Sequence, residues 1–240
     1  MDTNGYQENW LLSQLSPQAY ELLAERMEAV PVRIGEIIVE QGGILRHGWF
    51  PKTAVFSLLT VMTDGASAET CTVGKEGMLG VQLLAGIFVH PQRVVTQVPG
   101  ESWRISAEHL ASALREHIPL RELLIRYSIA FLQQANQNAA CNRLHSVQQR
   151  MARWLLFTRD RVGRDEFAIT QNFLADMLGV HRPTVSNTAA ALQEAGMISY
   201  RRGHLSVIDR VALRNASCEC YGVTKTVYDQ LIHLPPRLGA

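Results

Sequence analysis

Apolar and polar positions along this chain of 240 residues follow two different periods, and the change between them divides the chain. In the N-terminal part, short alternating runs separated by turn residues have the period of two that is typical of β-strands. The predicted strands, which follow a short helix at 17–29, are 32–40, 54–62, 67–73, 93–98 and 102–105. Asp64-Gly65 between two of these runs predicts a β-hairpin. Many short strands at this spacing favour an antiparallel β-roll of the jelly-roll kind.

Beyond the strands, one stripe recurs at alternating spacings of four and three. Its members are Leu120, Leu124, Tyr127, Phe131, Gln134 and Asn138. This is the spacing of a coiled-coil seam, and it predicts a long helix through which two chains pair. Because the stripe is shorter than three heptads, it could instead pack on its own domain. Both interpretations stay open here, and pairing of two subunits is the one we favour.

The segment 171–191, QNFLADMLGVHRPTVSNTAAA, has the pattern of a helix-turn-helix. Thr170 can cap the first helix through its hydroxyl, and Gly179 can take a positive φ in the turn at little cost. Val180 fills the corner between the helices. The apolar positions that pack the two helices are Leu174, Ala175 and Leu178 in the first and Val185, Ala189 and Leu192 in the second. The segment therefore predicts a short helix that enters the major groove of DNA.

A second hairpin follows this motif. Gly196 is expected to end the second helix in a left-handed conformation. Two alternating runs, 197–200 and 205–208, then flank the sequence RRGH. A hairpin after a recognition helix is a wing, and arginines at its tip suit contact with phosphate groups. A solvated surface turn is the alternative.

Charge is distributed unevenly along the chain. The formal net charge is only +1, but residues 1–140 carry 10 basic and 14 acidic side chains, whereas residues 141–240 carry 13 and 8. From Arg143 to Arg214 every lysine or arginine is an arginine, the side chain best suited to bidentate contacts with phosphate and guanine. The asymmetry indicates a C-terminal part that binds a polyanion.

The chain has no run of roughly eighteen uncharged apolar residues, so we expect no membrane span. The polar, acidic start of the sequence is unlike a signal peptide, and a cytoplasmic location is expected. Cys71 and Cys141 stand alone, and Cys218 and Cys220 are separated by one residue. Since neither a C-x-x-C pair nor a histidine at a fixed spacing accompanies them, the sequence predicts no metal site and ordinary reduced thiols.

The order of these parts resembles the Crp/Fnr family of bacterial transcription regulators. The resemblance covers nearly the whole chain and is densest in FPKTAVFSLL (50–59), VGKEGMLG (73–80), CNRLHSVQQRMARWLL (141–156) and the helix-turn-helix. It implies an α+β protein with a β-roll sensor domain at 1–115, a dimerisation helix at 116–140 and a winged helix-turn-helix at 141–240. It further implies a homodimer on palindromic double-stranded DNA, a small-molecule effector of unknown identity, and RNA polymerase as a partner.

The resemblance is weakest at the effector site. Cyclic-nucleotide-binding relatives carry a Gly-Glu pair and, further on, an arginine followed by a serine or threonine. Here Gly80 is followed by Val81, and Arg93 is followed by Val94, so a buried phosphate would lack partners. We therefore expect no binding of cAMP, although Gly80, Arg93 and Val94 remain the candidate pocket residues. Residues 1–40 contain no cysteine, which excludes the iron–sulfur cluster of oxygen-sensing relatives; lone histidines such as His90 are weak candidates for haem.

The resemblance assigns the DNA contacts more firmly, because the motif aligns without gaps. The candidate base-reading residues are His181, Arg182, Pro183, Ser186 and Asn187. The candidate phosphate contacts are Thr170, Gln171, Thr184, Arg201 and Arg202. Arg182 suits a guanine edge, and Asn187 suits adenine. Pro183 cannot accept a hydrogen bond from cytosine, so an operator different from the familiar one is expected.

Two other classes of protein share parts of this pattern. A metal-dependent cupin enzyme would need closely spaced histidines and a glutamate, and the sequence has no H-x-H motif, so an enzyme is not expected. The second class is a ligand-sensing protein whose winged helix docks a protein partner. This class requires no motif that the sequence lacks. An arginine at the start of the recognition helix favours DNA over this alternative.

Overall fold

The structure is a computed structural model that describes residues 8–232. Within that range, the N-terminal part contains α1 (Pro17–Ala24), β1 (Met27–Val32), β2 (Ile37–Val39), β3 (His47–Pro51), β4 (Val55–Val61), β5 (Ser67–Val73), β6 (Arg93–Val98) and β7 (Gly100–Ser106). Two helices follow, α2 (Ala107–Glu116) and α3 (Ile118–Leu144). The C-terminal part contains α4 (Val147–Val162), β8 (Glu166–Ala168), α5 (Gln171–Leu178), α6 (Arg182–Glu194), β9 (Ile198–Arg201), β10 (His204–Val207), α7 (Arg210–Ala216) and α8 (Cys220–Ile232).

The N-terminal strands form two antiparallel sheets, ordered β1-β7-β3 and β2-β6-β4-β5. Side chains of both sheets meet in one core, to which Phe50, Phe56 and Ile105 contribute buried groups. β4 and β5 pair as a hairpin, and Gly65 has φ +86 in its turn. The predicted α+β class, with its antiparallel strands, long helix and C-terminal helix-turn-helix, is confirmed, and so is the Asp64-Gly65 hairpin. No helix in residues 8–232 is both long and apolar enough to cross a membrane.

The prediction for residues 17–40 is wrong in its boundaries. α1 ends at Ala24, and the end of the predicted helix belongs to β1, where Met27 pairs with Ile105 of β7. A turn with Gly35 at φ +75 then divides the predicted strand 32–40 between β1 and β2. Pairing with β7 outweighs the local helical pattern, because cross-strand contacts depend on tertiary context rather than on sequence spacing.

One strand of the β-roll was not predicted at all. β3 has the sequence HGWFP, and four consecutive residues from Gly48 to Pro51 are buried. Without an exposed position in this run, the alternation that reveals a strand is missing. β3 pairs with β7, and Trp49 also forms an antiparallel bridge with Leu79.

The long helix presents its predicted seam to its own subunit. The side chains of Leu120, Leu124 and Tyr127 are buried in the core of the β-roll, and Phe131 packs against the same core. The Tyr127 hydroxyl also donates a hydrogen bond to the carbonyl of Met78 (2.9 Å). The assignment of Leu120, Leu124, Tyr127 and Phe131 to a dimer seam is therefore wrong. These residues anchor the helix on its own sheet because that is where their apolar surface is removed from water.

A second apolar stripe lies on the opposite face of α3. Ile125, Ile129 and Leu132 are 47%, 45% and 53% exposed, and Ile118 lies one heptad before Ile125. From Ile125 to Leu132 the spacing is again four and then three. At about 100° per residue this stripe is nearly opposite the buried one. The helix therefore has the pattern of a coiled-coil seam on a face that its own subunit leaves uncovered.

The helix that follows α3 begins later than the sequence suggested. Cys141 lies in the last turn of α3, and the chain bends at His145 before α4 starts. Ser146 caps α4 in a capping box with Gln149, in which each side chain bonds to the other residue's backbone N–H. One face of α4 is turned inward: Met151, Trp154, Leu155 and Thr158 are buried, and Val147 is partly buried.

A buried ion pair joins α4 to the β-roll. Arg161 donates to the carboxylate of Glu76 (Nε to Oε1, 2.8 Å), and it also donates to the hydroxyl of Thr72 and to the side-chain oxygen of Gln134. The Arg161 and Glu76 side chains are only 7% and 12% exposed. Desolvation alone would lower the pKa of Arg161, but the carboxylate of Glu76 raises it above its usual value. The guanidinium group therefore stays charged and holds the β-roll, α3 and α4 together.

Arg161→Ala is expected to lower the free energy of unfolding by about 3–5 kcal/mol, because it leaves the Glu76 carboxylate buried without its partner. Arg93→Ala is the matched control. Arg93 pairs with Glu40 at the surface (2.7 Å), and such a pair contributes at most about 1 kcal/mol. Urea unfolding of the two variants measures the difference. Equal losses of stability would contradict the role assigned to Arg161.

Candidate nucleic-acid interface

The first helix of the predicted motif is fixed at both ends as the sequence indicates. Thr170 is its N-cap, and the hydroxyl accepts a hydrogen bond from the backbone N–H of Phe173 (3.2 Å). Gly179 closes the helix at φ +61, a conformation that costs glycine little. Leu174 and Ala175 are buried against α4 and α6 as predicted.

The second helix presents an uncapped N-terminus. His181 is its N-cap residue, but within residues 8–232 no side chain accepts a hydrogen bond from the first-turn N–H groups. Pro183 occupies the first turn, where its missing N–H is not needed. The backbone N–H of Thr184 bonds to the carbonyl of His181 (3.0 Å), so the first turn offers an anion the N–H of Arg182 and the positive end of the helix dipole. His181, Arg182, Pro183 and Asn187 are all exposed, whereas Val185 and Leu192 hold the opposite face in the core.

Ser186 is less available than its position suggests. Its hydroxyl donates to the side-chain oxygen of Gln171 (2.7 Å), and the carbonyl of Arg182 lies 3.2 Å away. This contact ties the start of α5 to the first turn of α6. A base contact by Ser186 would therefore compete with a hydrogen bond that keeps the two helices in register.

The wing has the geometry of a tight hairpin. β9 and β10 pair from Arg201 and His204, and the two residues between them, Arg202 and Gly203, have φ +50 and +81. Positive φ at both central positions is the type I′ turn that matches the twist of paired strands. Arg202 is an uncommon non-glycine residue in this conformation. The Tyr200 hydroxyl donates to the carbonyl of Ile169 (2.8 Å), which fixes the wing beside the start of α5.

The starts of α5 and α6 and the tip of the wing border one open cleft. Its lining residues are Thr170, Gln171, Asn172, Arg182, Tyr200, Arg202 and Gly203. Sequence reasoning missed Asn172 and Tyr200, since neither belongs to the helix that enters a groove. Among residues 8–232, no carboxylate forms a recorded ion pair with Arg182, Arg201 or Arg202. The cleft therefore presents unneutralised positive charge.

His181 and Thr184 lie on a different side of the motif. They border a second cleft together with the β4–β5 turn, whose nearest residues are Gly65, Ala66 and Ser67. The structure thus divides the predicted contacts between a face that carries the wing and a face beside the β-roll.

Some of the arginines of the C-terminal part make contacts within their own subunit. Arg150 and Arg153 are buried, like Arg161, and donate to oxygen atoms of their own subunit. Arg210 and Arg159 pair with Asp160. The charge asymmetry of the C-terminal part therefore overstates the charge that is available to a polyanion.

The helix-turn-helix packs directly on the β-roll. The sulfur of Met177 in α5 lies 3.1 Å from the hydroxyl oxygen of Ser57 in β4. Ser57 and Trp154 of α4 both donate to the carboxylate of Glu69 in β5, at 2.6 and 3.1 Å. Burial raises the pKa of Glu69 to about 7, although these two donors and nearby Arg161 and Arg153 oppose the shift. A carboxyl group that titrates near neutral pH thus lies where the two parts of the molecule meet.

The predicted effector residues do not converge. Gly80 lines a small pocket in the β-roll, at φ +107 between the side chains of Leu45 and Leu83. Arg93 instead extends to the surface and pairs with Glu40, and Val94 is buried in the core. Neither Arg93 nor Val94 lines the pocket beside Gly80, so these three residues do not form the predicted effector site. Successive side chains of β6 face opposite sides of its sheet, which places Arg93 at the surface and Val94 in the core.

The structure also brings together a set of potential metal ligands that the sequence did not indicate. α3 and the start of α8 bring Cys141, His145, Cys218 and Cys220 together, and their ligand atoms all lie within 4.8 Å of one another. The sequence concealed this set because its two halves are far apart along the chain, and because C-x-x-x-H and C-x-C are not the usual pairs of zinc motifs.

Comparison with known proteins identifies the fold. Residues 149–216 match the model of the Crp-like helix-turn-helix domain. Similar solved structures include a protein assigned to the Crp/Fnr family of transcriptional regulators from Eubacterium rectale (TM-score 0.65, 17% identity, 88% of this chain and 98% of that one). Another is FixK2 from Bradyrhizobium japonicum (TM-score 0.69, 15% identity, 80% of this chain and 98% of that one). A third is the c-di-GMP-responsive global regulator CLP from Xanthomonas campestris (TM-score 0.64, 14% identity, 81% of this chain and 100% of that one). A search of the curated proteins finds no match. The resemblance inferred from the sequence is confirmed for the helix-turn-helix domain and for the fold.

The raised pKa of Glu69 predicts a pH-dependent stability. Because the folded protein holds this proton more tightly than the unfolded chain, the contribution of Glu69 to stability is complete below pH 4.5 and is lost as the pH rises to about 7. Glu69→Gln should flatten the fall in the free energy of unfolding across this interval. Glu25→Gln, at an exposed carboxylate, is the control and should leave the pH profile unchanged. Urea unfolding at several pH values between 4.5 and 8 tests this, and identical profiles for the wild type and Glu69→Gln would refute it.

Proposed function

We propose that this chain, which has the Crp/Fnr fold and carries a Crp-like helix-turn-helix domain, is a sequence-specific DNA-binding transcription regulator. In this proposal the predicted sensor domain 1–115 controls the DNA-binding domain 141–240 through the helix 116–140. The arrangement of one cleft carries the proposal: the N-terminus of α6, the start of α5 and the wing all border it. Each of these elements offers a group that binds phosphate or a base edge.

The residues of the cleft divide into two roles. Arg182 stands in the first turn of α6, exposed and without a recorded carboxylate partner in the described residues, so its guanidinium can bond O6 and N7 of guanine. Asn187 lies about one turn further on the exposed face and suits adenine. Thr170, Arg201 and Arg202 lie at the edges, where contacts with the phosphate backbone position the helix.

A twofold dimer follows from the uncovered stripe of α3. Ile118, Ile125, Ile129 and Leu132 have coiled-coil spacing and face away from their own subunit. Burying this stripe against the same stripe of a second chain removes apolar surface from water on both. It would also place two recognition helices for a palindromic operator, with half-sites roughly 10 base pairs apart.

The signal that controls the protein would enter at the β-roll. The pocket beside Gly80 is bordered by Leu58, Met78 and Phe131, and Gln82 contributes an amide nitrogen that has no hydrogen-bond partner in the described residues. Such walls favour a small, largely apolar effector over the phosphate of a cyclic nucleotide. Phe131 belongs to α3, so a ligand here would touch the helix that leads to the DNA-binding part.

A winged helix that docks a protein is the competing function. A protein-docking module would have the same fold, and the positive charge of the cleft is the feature that argues against this function. Salt distinguishes the two: DNA binding weakens steeply with rising salt because bound phosphates release their counterions. A protein-docking surface would bind duplex DNA weakly at any salt concentration.

Arg182→Ala is expected to reduce the preference for the cognate duplex over a scrambled one by about 5- to 150-fold, which corresponds to about 1–3 kcal/mol for a lost bidentate contact. Selection from randomised duplexes first supplies the operator, and titration against both duplexes measures the preference. Arg201→Ala should weaken binding to both duplexes alike and lower the salt slope by about 1. Arg115→Ala, at an exposed arginine of α2, is the control. Unaltered sequence preference in Arg182→Ala would exclude the assigned base contact.

Ile129→Glu is expected to convert the dimer into monomers, because it places a charge on each side of an apolar seam. Ile44→Glu, at a residue of the β-roll that is 62% exposed, should leave the dimer intact. Sedimentation velocity at several concentrations measures the masses. A dimer that survives Ile129→Glu unchanged would mean that the chains pair elsewhere.

A further inference from the structure

Four potential metal ligands meet where the long helix ends. Cys141 and His145 lie one helical turn apart at the end of α3, and Cys218 and Cys220 flank the start of α8. The sulfur atoms of Cys141 and Cys218 are 3.5 Å apart, and Sγ of Cys220 lies 3.6 Å from Nδ1 of His145. The three cysteines form a small buried cluster separate from the two main cores of the described residues.

These distances match the edges of a tetrahedron around one zinc ion. With zinc–sulfur and zinc–nitrogen bonds of about 2.3 and 2.0–2.1 Å, neighbouring ligands lie about 3.8 Å apart for two sulfurs and about 3.6 Å for sulfur and nitrogen. The widest pair in the cluster, at up to 4.8 Å, needs to close by about 1 Å to reach this geometry. Donors this close fit one ion rather than an iron–sulfur cluster, in which several iron atoms separate the ligands.

The surroundings of the histidine resemble those of a metal ligand. Oε1 of Glu219 lies 3.2 Å from Nε2 of His145, on the ring edge opposite the one that faces Cys220. A carboxylate on the far nitrogen fixes the ring orientation and the tautomer that leaves Nδ1 unprotonated for the metal. Gln137 of α3 also donates a hydrogen bond to the sulfur of Cys220 (3.0 Å), which holds this side chain toward the cluster.

We propose that Cys141, His145, Cys218 and Cys220 bind one Zn²⁺ per chain in a closed tetrahedral site. Three thiolates and one imidazole are a donor set that zinc prefers, and four protein ligands leave no position open for a substrate. The site is therefore structural. Glu219 is a positioning residue that acts through His145.

The position of the site gives it a mechanical consequence. One pair of ligands precedes the matched domain 149–216 and the other follows it. A bound ion would therefore close a loop around the whole domain and fix the bend at His145, between α3 and α4, to the C-terminal helices. This effect on DNA binding rests on the proposed function, whereas metal binding itself does not.

Metal content and cobalt spectroscopy test the site directly. Full-length protein produced in zinc-supplemented medium should retain about one zinc per chain after desalting. Replacing zinc with Co²⁺ should give the intense ligand-field bands of a tetrahedral site and sulfur-to-cobalt charge-transfer absorption. Cys218→Ser should lose roughly a third of the charge-transfer intensity, since it removes one of three thiolates. Cys71→Ser, at a buried cysteine of β5 outside the cluster, is the matched control and should keep the full signal.

A milder variant keeps the test independent of folding. Glu219→Gln leaves all four ligands in place and should weaken zinc affinity by roughly 10- to 100-fold, as measured by competition with a chromophoric chelator. Wild-type protein that binds no zinc or cobalt while all its cysteines remain reduced would overturn the proposal. A Cys141–Cys218 disulfide as the native state would overturn it as well, because it would make the cluster a redox pair.

DNA binding is measured separately, with and without chelator. Metal-loaded protein that fails to bind any duplex would refute the proposed function and leave the zinc site standing. Tight operator binding by protein that never takes up metal would refute the zinc site and support the proposed function.

Discussion

The buried ion pair between Arg161 and Glu76 is the constraint on which the rest of the structure depends. Charges in a protein interior persist only when each is paired and hydrogen-bonded, so this contact fixes α4 against the β-roll more strictly than apolar packing could. Gln134 of α3 joins the same network and also accepts a hydrogen bond from Tyr228 of α8 (3.0 Å). The β-roll, the long helix and the C-terminal helices therefore meet at one point. A shift of any of them changes the environment of a buried charge.

The helix-turn-helix could be predicted almost to the residue because its determinants are local. Thr170 caps its own helix, and the left-handed φ of Gly179 is set by the turn itself. The same holds for the type I′ turn of the wing. β3 and the boundary between α1 and β1 could not be predicted, because pairing with β7 decides both, and β7 lies more than fifty residues further along the chain.

The long helix shows that a correctly predicted spacing of apolar residues does not determine which face of the helix packs on its own subunit. Two stripes with heptad spacing run along α3, an inner one that includes Tyr127 and an outer one that includes Ile129. Only tertiary structure distinguishes them, since the Tyr127 hydroxyl bonds to the carbonyl of Met78 whereas Ile129 is 45% exposed. The hydrogen bonds of Gln134 and Asn138 to β5 explain the polar end of the inner stripe, which a dimer seam would not have required.

The part of the molecule that carries the helix-turn-helix is held from two sides of one bend. On one side, Arg161 and Trp154 of α4 bond to Glu76 and Glu69 of the β-roll. On the other side, the cysteine–histidine cluster joins the end of α3 to α8. Between them the chain has only His145 and Ser146 outside the helices in which to change direction. Rotation of the helix-turn-helix relative to the β-roll must therefore break contacts at Glu69 and Glu76.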